Sequence, residues 1–196
     1  MVIITAAIAF VNTIGYGDAM DQKKNRKSWL DAGLQTLASD GPEGLRIMAI
    51  AERLGVTKGS FYWHFKNLEE YQSALLQEWE QGHTQDAIAC VESTGGDAAA
   101  KLRKWFIGAV AADITLARAI RSWSLSNQHT GVIQARVDQK RIDYLIKLLR
   151  GAGWDKDQAA TLGRWAYWAW VGYSTLDGPR VTDKQVDLIL SVLQPR

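Results

Sequence analysis

The stretch Leu54–Phe65 constrains the fold more than any other part of the chain, because it encodes two helices joined by a tight turn. Gly55 follows an apolar leucine, where a helix ends once the backbone enters the left-handed region. Thr57 stands where the next helix needs an N-cap, since its hydroxyl can accept an amide hydrogen bond. Phe61 and Phe65 are four residues apart and therefore share one face of that helix. We expect both rings in the core and the small and polar residues between them at the surface.

The rest of the chain is expected to be helical as well. It contains only three prolines and few runs of β-branched residues, and its apolar residues recur at spacings of three and four. The predicted helices span about Lys23–Ser39, Arg46–Leu54, the turn after Thr57, Asn67–Gly82, Thr84–Glu92, Asp97–Ala112, Ile114–Leu125, Val132–Arg150, Asp157–Thr175 and Thr182–Leu193. Small polar residues predict the breaks between them, including a loop over Ser126–Gly131. The sequence therefore predicts an all-α fold.

Composition and the N-terminal segment narrow the class of protein. A chain of 196 residues with 47% hydrophobic and 22% charged residues is typical of a folded globular protein. The single cysteine, Cys90, excludes an internal disulfide and fits a reducing compartment. The apolar run Met1–Val11 is too short to span a bilayer and lacks a preceding basic residue, which makes it a poor signal peptide. We expect a cytoplasmic protein without a membrane partner. Residues 1–20 are interpreted as a poorly determined extension or, alternatively, as an arm that packs on the body.

The polar face of the second helix suits a nucleic acid. In a helix-turn-helix, the second helix enters the major groove and its first residues meet base edges. Lys58 can donate to guanine, and Ser60 can pair with either base type. Side chains that can hydrogen-bond phosphates surround these two, namely Thr57, Tyr62, His64 and Lys66. The basic run Lys23–Lys27 can add salt-dependent affinity.

The same helix-turn-helix shape also occurs in helical proteins that never meet DNA. Under this structural interpretation, Trp63 packs half-buried against the body of the protein, and His64 is held by a hydrogen bond within the chain. Considered without any resemblance, the residues leave both interpretations open.

The segment Leu45–Asn67 resembles the DNA-binding domain of the TetR family of bacterial regulators. The pattern of that family is apolar-x-x-Ile-Ala-x-x-x-Gly-Val-Ser/Thr-x-Gly-Ser/Thr-apolar-Tyr-x-His/Tyr-Phe, and Ile47–Phe65 meets it without a gap. The resemblance covers about Asn25–Leu76. It implies that an N-terminal three-helix unit binds a palindromic operator as a homodimer, while a larger helical domain binds a small molecule that releases the DNA. The contact positions that it implies are Thr57, Lys58, Ser60, Tyr62, Trp63, His64 and Lys66.

Two positions depart from the pattern of the family. Arg46 stands where the family usually has a serine or threonine cap, and an arginine can itself reach a phosphate. Leu68 stands where the family often has a lysine that touches the DNA backbone, so that contact is expected to be missing. Gly59 is too small to block a close approach. The candidate DNA-binding residues are therefore Arg46, Thr57, Lys58, Gly59, Ser60, Tyr62, Trp63, His64 and Lys66.

The second part of the chain is rich in large aromatic residues. We divide the chain into residues 1–20, a helix-turn-helix domain over 21–67, and a larger helical domain over 68–196 for ligand binding and dimerisation. The segment Trp165–Trp170 places aromatic rings on several faces of one helix, as expected for a helix that is buried on all sides. We expect the last two long helices, Val132–Arg150 and Asp157–Thr175, to form a four-helix dimer interface, as the resemblance also implies. Its candidate residues are Tyr144, Trp165, Trp168 and Trp170.

A pocket for a small molecule would be apolar with a few polar anchors. The candidate lining residues are His83, Trp105, Ile107, Trp123 and His129. Nothing in the residue pattern identifies the effector, although an aromatic lining favours a flat or hydrophobic molecule.

Sequence motifs of enzymes are missing: the chain has no glycine-rich phosphate loop, no His or Cys spacing that binds a metal, and no nucleophile elbow. We therefore expect a regulator that is not an enzyme and that carries no metal or cofactor. The predicted function is a repressor that a small molecule releases from its operator. The alternative is a helical ligand-binding or scaffold protein that does not bind specific DNA.

Overall fold

The structure is a computed structural model, and it describes residues 24–176 and 178–192. Every regular element of this described part is helical, which confirms the all-α fold. The helices are α1 (Arg26–Asp40), α2 (Ile47–Leu54), α3 (Lys58–Phe61), α4 (Leu68–Glu80), α5 (Asp86–Ser93), α6 (Ala98–Ala111), α7 (Thr115–Ser126), α8 (Gln128–Gly151), α9 (Lys156–Thr175) and α10 (Asp183–Val192). A 3-10 turn spans Pro42–Gly44 and a π-helical turn spans Gln81–Gln85. Our interpretation of residues 1–20 lies outside the described residues.

Side-chain caps at the preceding residue begin six of the described helices and account for their positions. Each cap accepts a hydrogen bond from a backbone amide in the first turn, which replaces a partner that the helix itself cannot supply. The caps are Asn25, Asn67, Asp97, Asn127, Asp155 and Thr182. Polar residues of this type therefore decide where these segments begin, while apolar periodicity decides which face turns inward.

A first core holds the N-terminal helices together and extends into the second part of the chain. Trp29, Phe61 and Tyr71 are completely buried and join α1, α3 and α4. Two residues of α7, Ile120 and Trp123, pack into the same cluster, and so do Ile133 and Val137 of α8. The predicted helix-turn-helix domain thus shares its core with residues beyond position 67.

A second core lies between α5, α6, α8 and α9. Its buried residues include Leu102, Leu145, Leu148 and Ala159, and the half-buried rings of Trp105 and Trp170 pack against them. On the outside, α10 is joined to α6 by two hydrogen bonds from Arg103 to Asp187, of 2.6 and 3.0 Å. Helix α8 contributes to both cores.

Two predicted breaks are wrong. The chain does not interrupt its helix near Gly82, because the π-helical turn joins α4 directly to α5. The predicted loop Ser126–Gly131 is a single residue, Asn127, whose side chain accepts from the Thr130 amide at 2.9 Å and starts α8 at once. A Cβ at Gly131 would lie 3.1 Å from the Ser124 carbonyl oxygen, so glycine permits this sharp connection.

None of the described helices is both long and apolar enough to cross a lipid bilayer.

Candidate nucleic-acid interface

The turn between α2 and α3 has the geometry that the sequence predicts. Gly55 adopts a left-handed conformation with φ 68° and ψ 32°. The Gly55 and Val56 amides donate to the carbonyls of Glu52 and Ala51, each at 3.0 Å, and so close the end of α2. Open space surrounds the position of a Cβ at Gly55. Glycine is therefore required by the backbone conformation and not by a close neighbour.

Aromatic rings fix the inner face of α3. Phe61 makes edge-to-face contacts with Trp29 and Tyr71, at centroid distances of 5.4 and 5.5 Å, and Phe65 lies 4.8 Å from Tyr71. The Tyr71 hydroxyl donates to the Trp29 carbonyl at 2.6 Å, and burial raises the pKa of Tyr71 far above its usual value. These contacts confirm that Phe61 and Phe65 are core residues, and they hold α3 rigidly against α1 and α4.

The outer face of α3 is polar and exposed. Lys58 and Gly59 are exposed, and the Ser60 side chain is half-buried with its hydroxyl donating to the Thr57 carbonyl at 2.9 Å. The side chains of Tyr62 and Trp63 are 52% and 72% exposed, so the alternative interpretation, in which Trp63 packs half-buried against the body of the protein, is wrong. The nine candidate DNA-binding residues include three cations and no carboxylate, which suits a polyanion.

Thr57 occupies the cap position of α3 with an extended backbone, but its hydroxyl makes no cap hydrogen bond. The prediction of a side-chain cap is therefore wrong. The Thr57 carbonyl accepts instead, from both the amide and the hydroxyl of Ser60, at 3.1 and 2.9 Å. Hydrogen bonds to the Thr57 carbonyl therefore start the four-residue helix α3, and the Thr57 and Lys58 side chains are both exposed.

His64 is tied into the protein. Its Nε2 lies 2.9 Å from the Lys24 carbonyl oxygen, and since a carbonyl only accepts, Nε2 is the donor. This contact fixes the start of the basic N-terminal segment beside α3. A phosphate bond from His64 would have to come from Nδ1, which requires the doubly protonated, cationic ring.

The two residues that depart from the family pattern occupy different environments. Arg46 is the residue before α2, in an extended conformation, with an exposed side chain that caps nothing. Leu68 is the first residue of α4 and packs against the first core. Leu68 therefore makes a packing contact where the family often has a lysine, and the charged side chain of Arg46 is exposed at the start of α2.

One contribution to the site was missed by the sequence analysis. The Glu70 carboxylate accepts from the Lys66 amide at 2.9 Å, while Asn67 accepts from the Glu70 amide at 2.8 Å. The pair forms a reciprocal cap that fixes the backbone at Lys66 next to α3. Its sequence signal was the spacing of Asn67 and Glu70, three residues apart.

The five candidate ligand residues are not brought together. Trp123 belongs to the first core, whereas Trp105 lies 4.9 Å from Tyr144 in the second core and Ile107 is buried. His129 is bonded to the Ser73 hydroxyl at 3.0 Å, at the surface. His83 keeps solvent contact on the π-helical turn, yet desolvation by the surrounding protein and the charge of Arg141 lower its pKa. The apolar members of the set are core residues, which sequence periodicity cannot distinguish from pocket walls.

The four candidate interface residues separate into two pairs. Tyr144 is buried within the chain, and Trp170 is half-buried with its Nε1 donating to the Ala109 carbonyl at 3.2 Å. Both therefore serve the core of a single chain. Trp165 and Trp168 are 57% and 63% exposed on α9. The single chain leaves this face of α9 open, as the predicted packing against a partner subunit requires, and that interface stays a prediction.

The described residues contain no group of three or more His, Cys, Asp or Glu side chains that could hold a metal ion.

Comparison with known proteins locates the similarity in the N-terminal helices. Residues 30–70 match the family described as "Bacterial regulatory proteins, tetR family". The tetracycline repressor protein class D of Escherichia coli is 39% identical over 54 residues, which are 28% of this chain and 25% of that protein. The transcriptional regulator SrpR of Pseudomonas putida is 33% identical over 58 residues, or 30% of this chain and 27% of that protein. The matched stretch is about a quarter of the length of these curated relatives.

Solved structures are similar over most of the chain. A TetR transcriptional regulator from Legionella pneumophila superposes with a TM-score of 0.71 at 16% identity, over 90% of this chain and 100% of that one. The reduced form of Escherichia coli NemR superposes with a TM-score of 0.68 at 15% identity, over 86% of this chain and 95% of that one. Identities this low establish a shared fold and no more.

Proposed function

We propose that this chain, as a member of the TetR family of bacterial regulatory proteins, is a transcriptional repressor. In this proposal, a small molecule releases the protein from a palindromic operator. The observation that carries this proposal is the division of α3 into two faces. Phe61 and Phe65 fix the inner face against α1 and α4, while the outer face presents small, polar and basic residues to solvent. A face held in place and free of acidic side chains is what insertion into a DNA groove requires.

Two residues at the start of α3 are proposed to read bases. Lys58 is exposed and can donate to O6 and N7 of a guanine, and Ser60 can exchange its bond to the Thr57 carbonyl for one to a base edge. Gly59 between them leaves room for the close approach of the DNA. These contacts specify sequence, because they involve the donors and acceptors that differ between base pairs.

The surrounding residues are proposed to hold the phosphates. Thr57, Tyr62 and Lys66 carry exposed donors on the same side of the turn, and Arg46 adds a cation near the start of α2. Trp63 is proposed to pack against the sugar–phosphate backbone, since most of its ring is exposed. His64 contributes only when its ring is cationic, because Nε2 is committed to Lys24. Such contacts fix the position of the protein on DNA without selecting a sequence.

The exposed face of α9 supports a homodimer. Trp165 and Trp168 present two large aromatic side chains to solvent, and Trp is favoured in interfaces. Pairing α8 and α9 of two chains would bury both rings in a four-helix bundle and would place two copies of α3 on a palindromic site. We further propose that the protein is located in the bacterial cytoplasm and is not an enzyme.

The test is a gel-shift titration of the full chain with the intergenic DNA beside its own gene, against a scrambled duplex of equal length. We expect a specific complex that weakens steeply as salt rises, since phosphate contacts release counterions. Equal, weak binding to both duplexes at every salt concentration would instead support the alternative, a helical ligand-binding or scaffold protein that does not bind specific DNA.

A further inference from the structure

Arg141 is a buried cation at the centre of the ligand-binding half of the chain. It lies on the inner face of α8 and is 7% exposed. Its Nε donates to the Thr84 hydroxyl at 3.1 Å, and its Nη2 donates to the His83 carbonyl at 3.2 Å. Both acceptors belong to the π-helical turn between α4 and α5, and both are neutral. Within the described part of the chain, Nη1 has no hydrogen-bond acceptor.

Two indole rings flank the guanidinium group. Its central carbon lies 5.6 Å from the ring centroid of Trp79 and 5.4 Å from that of Trp170. Such contacts offset part of the cost of removing a cation from water. They do not neutralise it, and among residues 24–176 and 178–192 no carboxylate lies within ion-pair distance of Arg141. A buried ion normally has a partner of opposite charge, because an unpaired one is strongly unfavourable.

The nearest acidic residues on the same helices are already engaged. Asp138 accepts two hydrogen bonds from Arg121, at 3.1 and 2.8 Å, and a third from the Tyr167 hydroxyl at 2.6 Å. Glu80 accepts from Arg136 and from Lys140. Neither carboxylate is available to Arg141, so the positive charge of Arg141 has no counterion among the residues that the structure describes.

The same face of α8 also carries an unpaired acceptor. Gln134 and Asp138 precede Arg141 by seven and three residues, and these spacings place all three side chains on one side of the helix. Gln134 is 4% exposed, and among the described residues no hydrogen-bond donor reaches its buried Oε1. A cation without a carboxylate partner and a buried acceptor without a donor thus lie on one side of the same helix, and a bound polar molecule could satisfy both.

A cleft lies elsewhere in the same part of the chain. It has a volume of about 180 Å³ and is bounded by the end of α6, the start of α7 and the end of α9. Val110, Ile114 and Tyr173 line it together with the charged residues Asp113, Arg118 and Arg180, and Arg141 is not among its lining residues. Tyr173 follows Trp170 by three residues on α9, and both side chains donate to carbonyls at the end of α6. The volume suits a small molecule, since pockets for larger ligands usually exceed about 300 Å³.

We infer that the effector is a small aromatic or apolar carboxylate whose anionic group binds the Nη1 side of Arg141. The guanidinium fork matches a carboxylate and supplies charge-assisted hydrogen bonds to it. The apolar part of the molecule extends toward the half-buried indole ring of Trp170, whose centroid lies 5.4 Å from the guanidinium carbon. This inference rests on the proposed function, because it names the chemical class of the effector of that regulator.

The experiment is isothermal titration calorimetry on the full chain without DNA. The probes are benzoate, phenylacetate and 1-naphthoate, each compared with its uncharged amide. At least one carboxylate is expected to bind saturably, and its amide is expected to bind at least about tenfold more weakly, because it lacks the charge-assisted bond.

Three variants assign that difference to a residue. Arg141→Met is expected to weaken the carboxylate at least about tenfold, and Arg141→Lys less, because it keeps the charge without the fork. Arg136→Met removes the same charge from the same helix and is expected to leave probe affinity within about twofold. If Arg141→Met fails to fold, Arg141→Lys and the comparison of carboxylate with amide in the wild type still decide.

Several outcomes would overturn the inference: no carboxylate binds, carboxylate and amide bind alike, or Arg141→Met and Arg136→Met lose affinity equally. A lower melting temperature of Arg141→Met with unchanged probe affinity would assign Arg141 a structural role only. Gel shifts of the wild type without probe distinguish failure of this inference from failure of the proposed function. If the wild type does not bind specific DNA, the proposed repressor function is contradicted, while the calorimetric evidence for carboxylate binding is unaffected.

Discussion

Lys58 and Tyr62 stand on the same exposed face of α3 but are expected to contribute to DNA binding in different ways. Lys58 lies in the first turn, where side chains reach base edges, and Tyr62 lies one turn later, where a hydroxyl reaches phosphate. Neither side chain is buried, and the Tyr62 ring makes an edge-to-face contact with Phe61, with the ring centroids 5.3 Å apart. Substitutions here therefore test recognition more than folding.

Lys58→Ala should cost about 1–3 kcal/mol on the preferred operator and should relax discrimination at one base pair. Tyr62→Phe keeps the ring and its packing, so it should weaken binding by a similar factor on every sequence. Gel shifts with single-base operator variants measure both effects. An unchanged base preference in Lys58→Ala would contradict the proposed position of α3 in the groove.

Gly33 is required by a close neighbour and Gly55 by its backbone conformation, so substitutions at the two positions should lower stability by different amounts. A Cβ at Gly33 would lie 2.1 Å from the Tyr71 hydroxyl oxygen, inside the cluster that supports α3. Gly33→Ala should lose about 1–3 kcal/mol or more of unfolding free energy through overpacking. Gly55→Ala meets no neighbour and should lose about 1–2 kcal/mol, the cost of its left-handed backbone. Urea denaturation distinguishes them, and a smaller loss in Gly33→Ala would show that α1 and α4 can move apart.

At the scale of elements, a buried ion cluster joins α4 to α8. The Glu80 side chain is 6% exposed and pairs with Arg136 and Lys140, which are about half exposed. Hydrogen bonds, first that from Arg136, lower the pKa of Glu80 below its usual value. A carboxyl whose pKa is lower in the folded state stabilises that state at neutral pH, and the contribution disappears as pH falls through the folded-state pKa.

Glu80→Gln should therefore be less stable than the wild type at neutral pH, and the difference should shrink in acid below the ordinary glutamate pKa of about 4.3. The control is Glu69→Gln, which changes an exposed glutamate on the same helix and should be nearly silent. Thermal melts at several pH values measure both variants. A constant difference across pH would mean that Glu80 acts through packing and not through its charge.

The elements that sequence predicts well are those fixed by neighbours in the chain. The turn at Gly55, the buried pair Phe61 and Phe65, and the Asn67 cap follow from local spacing, and all are present. The π-helical turn and the junction at Asn127 were missed for a local reason as well, because clusters of Gly, Ser, Thr and Asn resemble loops even where one side chain caps a helix.

The proposed ligand site at Arg141 could not be predicted from the sequence, because its contacts join residues distant in the chain. Arg141 meets Thr84 across 57 positions, and no periodicity links the two. Trp105 and Trp123 resembled pocket walls only because apolar core and apolar pocket have the same pattern. What distinguishes them is burial against specific neighbours, which folding alone reveals.

At the scale of the whole molecule, the exposed aromatic face of α9 is the proposed dimer interface. Trp168→Glu should yield monomers that bind a palindromic site weakly, because a charge opposes burial of that face in an interface. Trp170→Glu should instead lower the melting temperature, since its ring packs inside the chain and its Nε1 bonds the Ala109 carbonyl. Light scattering and thermal melts measure the two effects.

Leu125→Glu is the matched control for this prediction. Leu125 is 87% exposed on α7, so the substitution adds the same charge to another apolar surface position and should leave the oligomeric state unchanged. A dimer in Trp168→Glu, or a monomer in Leu125→Glu, would place the interface elsewhere.

Helix α8 places Ile133 and Val137 in one core and Leu145 and Leu148 in the other. Because α8 belongs to both cores, the N-terminal and C-terminal halves of the chain are not expected to fold independently. A chimaera that exchanges only residues 24–67 for those of a relative would bring a foreign surface against Ile120, Trp123, Ile133 and Val137. Recombination with such a relative should therefore succeed where the exchanged segment includes the matching faces of α7 and α8. The helices proposed to bind DNA should then be inherited together with the helices that pack against them.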